Sequence, residues 1–351
     1  LKFVASLDPA WIDAALAATG TATIRRRRLP AEQVVWLVIG MCLFRDLSMR
    51  ELVATLDLAL PGSRGERVAP SSIVQARERL GDEPLRWLFE RLASMWAHAS
   101  ARAHAWRGLA VYGVDGTTVR IPDSVENRAH FGGPDTRWNS TSGYPLARMV
   151  TLMALRSHLL AGAKFGPYDT GERAYAEQLW PLLPDHSLAI VDRGFFSART
   201  LLGITRSGEH RAWLTRARAD LACRRVKRLA AGDELVELNV SSEARRQDQT
   251  LPATWQMRAI RYRRRGFKPQ LLLTSLLDAH RYPAAEIIAL YHERWELELG
   301  YNEVKRTMLR REESTRSKSP RGVAQELWGL GIAYNLIRYE AGRLAHEAGV
   351  P

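Results

Sequence analysis

Apolar residues recur with helical spacing toward both ends of the chain. In the N-terminal part the pattern predicts three helices, over Pro30–Phe44, Ser48–Leu58 and Ser71–Gly81, the last two capped by serine. Two short helices joined by a turn, then a third that carries Gln75, Arg77 and Arg79, are typical of a helix-turn-helix-like DNA-binding module. A plain helical bundle with a charged outer face would give the same pattern. In the C-terminal part, helices are predicted over Tyr291–Lys305 and Arg321–His346.

The middle of the chain has the short apolar runs that are typical of strands. The first group consists of strands at Leu109–Val114, Arg148–Leu155 and His158–Phe165, a helix near Arg173–Leu183, and a strand that ends at Asp192. A second group of strands is predicted at Trp213–Arg218, Glu234–Val240, Trp255–Tyr262 and Gln270–Ser275. We therefore divide the chain into a helical part (1–105), a first α/β part (106–203), a β-rich insertion (204–280) and a second α/β part with C-terminal helices (281–351).

Two strands end on an aspartate. Asp115 closes the apolar run that starts at Leu109, and Asp192 closes the run that starts at Leu188. Open α/β sheets bind ligands just outside the carboxyl ends of their strands, so these two side chains are candidates for one cation site. A single aspartate at a strand end is more often a turn residue or a helix cap. Two of them, with a carboxylate on a later helix, form a more specific pattern.

The helix predicted over Tyr291–Lys305 supplies that later carboxylate. Tyr291, Arg294, Glu298 and Lys305 would share one face at 3.6 residues per turn. An aromatic ring, two cations and a carboxylate in a row are typical of phosphate binding beside a metal-binding group. The alternative is a solvated helix face, because Arg294 and Glu298 also form an i,i+4 ion pair.

Taken in order, these motifs resemble the DDE transposases of the IS4 group of bacterial insertion sequences. The resemblance rests on Asp115-Gly-Thr, on Asp192-Arg-Gly-Phe, and on Tyr-x2-Arg-x3-Glu-x6-Lys from Tyr291 to Lys305. It covers nearly the whole chain. It implies an α/β fold: a ribonuclease H-like catalytic core with a β-rich insertion before Glu298, preceded by an all-helical N-terminal domain that binds DNA.

The resemblance also implies a reaction, metal-dependent cleavage and strand transfer at the ends of an insertion sequence (cut-and-paste transposition), with a DNA hairpin as intermediate. Asp115, Asp192 and Glu298 would be the catalytic residues and would hold two Mg²⁺ ions per active site, for which Mn²⁺ can substitute. Asp115 would bridge the two ions. A nuclease of the same fold, or a non-catalytic DNA-binding protein derived from a transposase, are the alternatives.

Charge agrees with a polyanion as partner. The chain has 51 Lys and Arg against 38 Asp and Glu, a net charge of +13. Besides Tyr291, Arg294 and Lys305, the predicted DNA contacts are Arg193, Arg263, Arg264, Arg265, Lys268, Trp213 and Trp255. The insertion also carries Arg224, Arg225, Lys227, Arg228, Arg258 and Arg261. Basic residues interleaved with Trp213 and Trp255 suit phosphate binding and stacking on an unpaired base, although each tryptophan by itself is more often a core residue.

The remaining expectations concern partners and location. The resemblance implies double-stranded DNA as partner, both terminal inverted repeats and target DNA, and a homodimer in a synaptic complex. Two cysteines, Cys42 and Cys223, are too few for a disulfide framework, which favours a reducing compartment. The longest apolar run, Val34–Phe44, is too short to span a membrane. We therefore expect a bacterial cytoplasmic protein that associates with the nucleoid when it is bound to DNA.

Overall fold

A computed structural model of the chain describes residues 6–22, 29–56, 69–134, 143–218, 221–303 and 314–349. Lys305, which is part of the predicted phosphate-binding face, lies outside the described residues. In the part that is described, no helix is both long enough and apolar enough to cross a membrane.

The N-terminal part is helical, as predicted. Its helices are α1 (Pro9–Ala18), α2 (Ala31–Leu43), α3 (Met49–Thr55), α4 (Pro70–Leu80) and α5 (Glu83–Leu92), and a π-helical turn (Ala93–Ala97) leads into α6 (His98–Ala103). Ser48 caps α3, and Glu51 bonds back to the Ser48 amide in a capping box. The prediction that a serine caps α4 is wrong, because a proline in the first turn already starts this helix at Pro70.

One long C-terminal helix, α13 (Pro320–Glu347), packs against these N-terminal helices. Glycines allow the close approach: a Cβ on Gly329 would lie 2.9 Å from Val38 of α2, and one on Gly331 would lie 2.9 Å from Phe89 of α5. The helical region therefore shares a continuous hydrophobic core with the end of the chain.

Arg77 takes part in this contact instead of facing solvent. Its guanidinium donates to Gln325 Oε1 at 3.1 Å and to Ser317 Oγ at 2.8 Å, whereas Gln75 and Arg79 of the same helix are exposed. A DNA-binding surface on α4 would thus be smaller than the sequence pattern predicts.

A nine-stranded sheet forms the centre of the molecule. Its strands are β1 (Ala110–Arg120), β2 (Leu146–Ala154), β3 (Leu160–Pro167), β4 (Ser187–Val191), β5 (Arg211–Ala217), β6 (Arg224–Ala230), β7 (Asp233–Asn239), β8 (Thr254–Tyr262) and β9 (Gln270–Thr274). The order across the sheet is β3-β2-β1-β4-β5-β9-β8-β7-β6. β1, β2 and β3 are antiparallel, and β4 is parallel to both β1 and β5. This is the ribonuclease H-like order that the sequence predicts.

The strands predicted for the insertion continue this same sheet. β5 lies in the stretch that we assigned to the insertion, yet it pairs in parallel with β4 of the first α/β part. β6 was not predicted. Six of its seven residues are exposed, so the strand at the edge of the sheet has no apolar alternation to reveal it. The division of the chain into four parts stays a prediction.

Two predicted elements have different bounds in the structure. β1 does not end at Asp115 but runs on to Arg120, because β2 continues to pair with it beyond the last residue of β4. The helix predicted near Arg173–Leu183 is shorter: α8 covers Glu172–Glu177, and a 3₁₀ turn follows at Trp180–Leu182. The connection from β1 to β2 contains α7 (Val125–Phe131), the one from β4 to β5 contains α9 (Ala198–Arg206), and α10 (Ser242–Gln247) joins β7 to β8.

The helix predicted over Tyr291–Lys305 is interrupted. α11 (Ala284–His292) ends just before Glu293, and α12 (Trp295–Asn302) starts after Arg294. Between them the amides of Glu293 and Arg294 bond three residues back, to Leu290 and Tyr291, so the backbone tightens into a turn. The prediction that one continuous helix presents the motif residues on a single face is therefore wrong.

Candidate active site

Asp115 lies on β1 at the point where its neighbour β4 has just ended. β4 pairs with β1 up to the pair Val114–Val191, so the next residues of both strands, Asp115 and Asp192, lie side by side. Asp115 Oδ1 accepts a hydrogen bond from the Gly116 amide at 2.8 Å. The shared strand edge thus places these two residues next to each other.

Burial raises the pKa of Asp115 to about 6, although the Gly116 amide and the Arg294 guanidinium act in the opposite direction. The negative charges of Asp192 and of a residue that was not predicted, Glu172, raise this pKa further. Asp115 therefore lies in an environment that contains other carboxylates and one cation.

Asp192 starts the tight turn that follows β4. Its Oδ2 accepts from the Gly194 amide at 3.4 Å and caps a 3₁₀ turn over Arg193–Phe195. The sequence Asp-Arg-Gly-Phe thus combines a cap, an exposed cation and a buried aromatic anchor, and Arg193 is exposed as a phosphate contact would require.

Glu298 is brought to the sheet by α12. Leu297 packs where Gly113 of β1 has no side chain, and Tyr301 donates from its hydroxyl to the Asp115 carbonyl oxygen. The Tyr301 hydroxyl is also 2.6 Å from Thr151 Oγ1 on β2. Leu297 and Tyr301 therefore hold α12 against the strand that carries Asp115.

Arg294 connects Glu298 with the two aspartates. Arg294 Nη2 donates to Glu298 Oε1 at 2.9 Å, and its positive charge lowers the pKa of Asp115. Among the described residues, no three Asp, Glu, His or Cys side chains lie close enough together to hold a metal ion as they stand. The donors themselves, carboxylate oxygens at a half-exposed strand edge, have the chemistry that Mg²⁺ and Mn²⁺ prefer. Convergence of all three carboxylates stays a prediction.

Side chains from the β2–β3 turn bind the opposite side of the α11–α12 junction. Arg156 binds Glu293 with two hydrogen bonds of 2.9 Å, and His158 Nε2 is 2.9 Å from Glu296 Oε2. Farther along, Glu303 accepts from the Tyr334 hydroxyl at 2.9 Å. The helix that carries Glu298 is thus attached to the body of the protein on its other face.

Tyr291, by contrast, is mostly buried. Its exposed fraction is 5%, burial raises the pKa of its hydroxyl, and the positive charges of Arg294 and of Arg216 on β5 partly offset this shift. Arg216 was not predicted as a site residue. Its position, at the carboxyl end of a strand parallel to β4, is the signal that could have identified it.

The prediction that Trp213 or Trp255 stacks on an unpaired base is wrong. Their exposed fractions are 0% and 7%, and the two rings pack on each other with centroids 5.3 Å apart. Trp295 was not singled out, although it follows Arg294 directly and is 61% exposed. The signal was present, because Trp295 lies outside the apolar face that Leu297 and Tyr301 define on α12.

The basic residues of the insertion fall into two groups. Arg263, Arg264, Arg265 and Lys268 form the exposed turn between β8 and β9, which we call the basic turn. Because β5 and β9 pair from Leu214–Thr274 to Ala217–Leu271, this turn projects from the same edge of the sheet as Asp192. Arg264 also lies near α11, since burial lowers the pKa of His292 and the Arg264 charge lowers it further.

Arg258 does not belong to that surface. It is 0% exposed and bound to Asp233, so its assignment to a phosphate-binding cluster is wrong. On β6, Arg224 and Arg225 are exposed but pair with Glu237 and Glu234.

Comparison with known proteins decides the family. Residues 1–90 match the model of the insertion element 4 transposase N-terminal domain, and residues 106–336 match that of the transposase DDE domain. The transposase InsG for insertion sequence element IS4 of Escherichia coli (strain K12) is 42% identical over 97% of this chain and 76% of its own length. The chain belongs to the IS4 family of DDE transposases.

This IS4-family transposase is therefore a DNA transposase with a ribonuclease H-like core, and its family depends on divalent metal ions. Neither the nuclease nor the non-catalytic alternative is favoured. A solved structure, the piggyBac transposase synaptic complex with hairpin DNA, is similar over 99% of this chain and 73% of that one, with 11% identity and a TM-score of 0.47.

Proposed function

We propose that this transposase cleaves DNA at the terminal inverted repeats of an insertion sequence and joins the freed 3′ ends to target DNA. Two Mg²⁺ ions, replaceable by Mn²⁺, would be held by Asp115, Asp192 and Glu298. The observation that carries this proposal is the side-by-side position of Asp115 and Asp192 at the edge of β1 and β4, beside the Arg294 charge. Bound there, divalent ions would activate the attacking hydroxyl and stabilise the leaving oxyanion.

Arg294 has a second role in this proposal. In the structure it donates to Glu298, its side chain is 20% exposed, and that of Glu298 is 37% exposed. When Glu298 turns to a cation, Arg294 loses its partner on the helix and becomes available to a phosphate next to the scissile one. Lys305 and Tyr291 are proposed to bind neighbouring phosphates, Tyr291 after a local movement that exposes its hydroxyl.

We assign DNA binding outside the catalytic centre to the basic turn and to Arg193. Each phosphate contact adds to the salt dependence of binding with a slope of about −0.9 in log K against log salt. Replacing Arg263, Arg264, Arg265 and Lys268 together by Ala should flatten that slope by up to about 3.6 units. The matched control is the double variant Arg245→Ala with Arg246→Ala on α10. This helix follows the end of β7 that lies away from the basic turn, so the variant should leave the slope nearly unchanged.

Trp295 replaces Trp213 and Trp255 as the proposed stacking residue for an unpaired base, since an exposed ring beside Arg294 offers the flat apolar face that stacking needs. The functional unit is proposed to be a homodimer on two DNA ends, in the bacterial cytoplasm.

The deciding experiment uses the purified chain, Mg²⁺ and DNA that carries the ends of the element. Asp115→Asn, Asp192→Asn and Glu298→Gln should each abolish nicking and joining and leave DNA binding equal or tighter, because a carboxylate near phosphate is repulsive without its cation. Glu243→Gln on α10, an exposed glutamate paired with Arg246, is the matched control and should keep full activity. Normal cleavage by any of the three variants would remove that residue from the site, and cleavage without joined products would favour a nuclease.

A further inference from the structure

A fourth carboxylate lies next to the proposed metal-binding aspartates. Glu172 is the first residue of α8, and its side chain lies over Gly116, the residue that follows Asp115. A Cβ added to Gly116 would be 2.6 Å from Glu172 Cδ and 2.8 Å from its Oε1. The carboxylate thus occupies space that is open only because residue 116 is glycine.

Glu172 is held in this place by a cation on the neighbouring strand. Arg148 Nη1 donates to Glu172 Oε1 at 2.9 Å, and Arg148 Nε donates to the Tyr168 carbonyl oxygen at 3.0 Å. The Arg148 guanidinium also lies 4.7 Å from the centre of the Tyr168 ring. The Glu172 side chain nevertheless keeps 39% of its exposure. Arg148 therefore orients the carboxylate from one side and leaves the other side open to solvent.

The turn after Asp192 borders the same space. Arg173, next in sequence to Glu172, donates from Nε to the Gly194 carbonyl oxygen at 2.7 Å. Gly194 is in turn the residue whose amide bonds to the Asp192 carboxylate. Glu172 is thus tied to the backbone beside Asp115 and, through Arg173, to the turn that Asp192 caps.

This arrangement is electrostatically unfavourable in the absence of a cation. The Glu172 carboxylate lies against Gly116, directly after Asp115, and Asp192 follows the end of the neighbouring strand, so three like charges share this edge of the sheet beside the one ion pair of Glu172 with Arg148. The ion pair with Arg148 accounts for a carboxylate at residue 172, but it does not account for the position of that carboxylate beside two aspartates. A divalent cation at the aspartates removes the conflict, since all three carboxylates are then attracted to the same charge.

We propose that Glu172 is a positioning residue of the metal site, a fourth carboxylate that strengthens divalent-cation binding by Asp115 and Asp192. This inference rests on the proposed function. Gly116 contributes to this role, because only a residue without a side chain lets the Glu172 carboxylate approach β1.

The test is Mn²⁺ binding to the full chain without DNA, measured by electron paramagnetic resonance of the free ion, beside thermal melting in chelator. Glu172→Gln keeps the shape and a hydrogen-bond acceptor for Arg148 but removes the charge, so the Mn²⁺ affinity should fall on the order of tenfold. The melting temperature in chelator should be equal or higher. Glu177→Gln in the same helix, whose carboxylate bonds to Thr200 and Arg199, is the control and should bind Mn²⁺ within about twofold of the native chain.

A second variant tests the same idea without changing any charge. Gly116→Ala places a methyl group where the Glu172 carboxylate lies, so that carboxylate must swing away and Mn²⁺ affinity should again fall several-fold. In the Glu172→Gln background the added methyl group should cause no further loss of affinity.

Asp115→Asn separates failure of this inference from failure of the proposed function. Loss of Mn²⁺ binding in Asp115→Asn, with native affinity in both Glu172→Gln and Gly116→Ala, would overturn the role of Glu172 and leave the metal site intact. Native affinity in Asp115→Asn would overturn the metal site itself. A lower melting temperature in Glu172→Gln with unchanged Mn²⁺ affinity would reduce Glu172 to a structural partner of Arg148.

Discussion

Two arginine–carboxylate pairs in this transposase differ in almost every physical respect. Arg258 and Asp233 join β8 to β7 through two hydrogen bonds, of 2.7 Å and 2.5 Å, with side-chain exposures of 0% and 5%. Arg294 and Glu298 share one bond of 2.9 Å at the start of α12, with exposures of 20% and 37%. The first pair lies in the sheet interior, the second beside the proposed metal site.

The difference lies in how many polar atoms the protein itself satisfies. Arg258 also donates to the carbonyl oxygens of Leu276 and Tyr282, so the pair fixes the turn that leads into α11. Among the described residues, the Arg294 guanidinium bonds only to Glu298, and one Glu298 oxygen accepts no hydrogen bond. A buried pair whose hydrogen-bonding partners are all within the protein maintains the fold. A half-exposed pair with unused donors and acceptors can separate, so that its carboxylate binds a cation and its guanidinium binds a phosphate.

The largest expected effect compares isosteric neutralisation of the two acids. Asp233→Asn leaves the Arg258 charge buried without a counter-charge and should cost about 3–5 kcal/mol in the free energy of unfolding. Glu298→Gln should change that free energy by less than about 0.5 kcal/mol, since its charge is in contact with solvent. Urea unfolding of both variants in chelator measures the difference. Equal losses in the two variants would mean that Glu298 is as structural as Asp233.

Next in size is the effect of Arg294 on catalysis. Arg294→Ala should lower strand cleavage on the order of 100-fold, about 2.7 kcal/mol of transition-state stabilisation, while DNA affinity falls only a few-fold because many other phosphate contacts remain. Arg294→Lys should recover part of the DNA affinity but little of the cleavage rate, since a lysine lacks the planar fork that binds phosphate oxygens in pairs. Single-turnover cleavage and filter binding give the two numbers. Parallel losses of affinity and rate in both variants would make Arg294 a general DNA contact.

These comparisons also indicate what the sequence could reveal. Asp115, Asp192 and Glu298 could be proposed from the sequence because strand ends and helix positions are local patterns. Arg258 was misjudged for a physical reason: a basic residue within a basic run gives no sign that the chain folds an acid from β7 onto it. Trp213 and Trp255 were misjudged in the same way, since only the sheet packing buries them together.

Contacts between distant parts of the chain were beyond the sequence altogether. Nothing in the residues around Glu172 indicates that a glycine more than fifty positions earlier leaves room for its carboxylate. The end of α11 was equally hidden, because the residue that fixes Glu293, Arg156, comes from the β2–β3 turn. Local pattern predicted the elements, while the charge balance of the site depends on which elements become neighbours.

A smaller effect is expected from pH, and it follows from Asp115. Burial raises the pKa of this carboxyl to about 6, against an ordinary value of 3.8, so the folded chain binds the proton more tightly than the unfolded chain. The stability that this proton contributes is present below about pH 4 and is lost as the pH rises through about 6.

In chelator, Asp115→Asn should therefore be more stable than the native chain by about 1–2 kcal/mol at pH 7.5, and the advantage should shrink toward pH 4.5. Urea unfolding across this pH range measures it. Added Mn²⁺ should stabilise the native chain at pH 7.5 and have little effect on the variant. An advantage that does not vary with pH would show that Asp115 titrates at an ordinary value.

The smallest effect concerns a pair between the two extremes, Arg156 with Glu293. It has two hydrogen bonds, like Arg258–Asp233, but its side chains are 35% and 34% exposed, so that it is partly open to solvent like Arg294–Glu298. Arg156→Ala should cost about 0.5–1 kcal/mol in the free energy of unfolding, because an exposed pair is largely screened by solvent.

The effect of Arg156→Ala on function should be larger in proportion. Cleavage should fall several-fold at unchanged DNA affinity, since Glu293 directly precedes Arg294 and its bonds to Arg156 set where α12 begins. Arg224→Ala, which breaks an exposed Arg–Glu pair on β6, is the matched control and should cost no more stability and no cleavage at saturating DNA. If both variants cleave at the native rate, the attachment of α12 through Arg156 does not position Arg294 and Glu298.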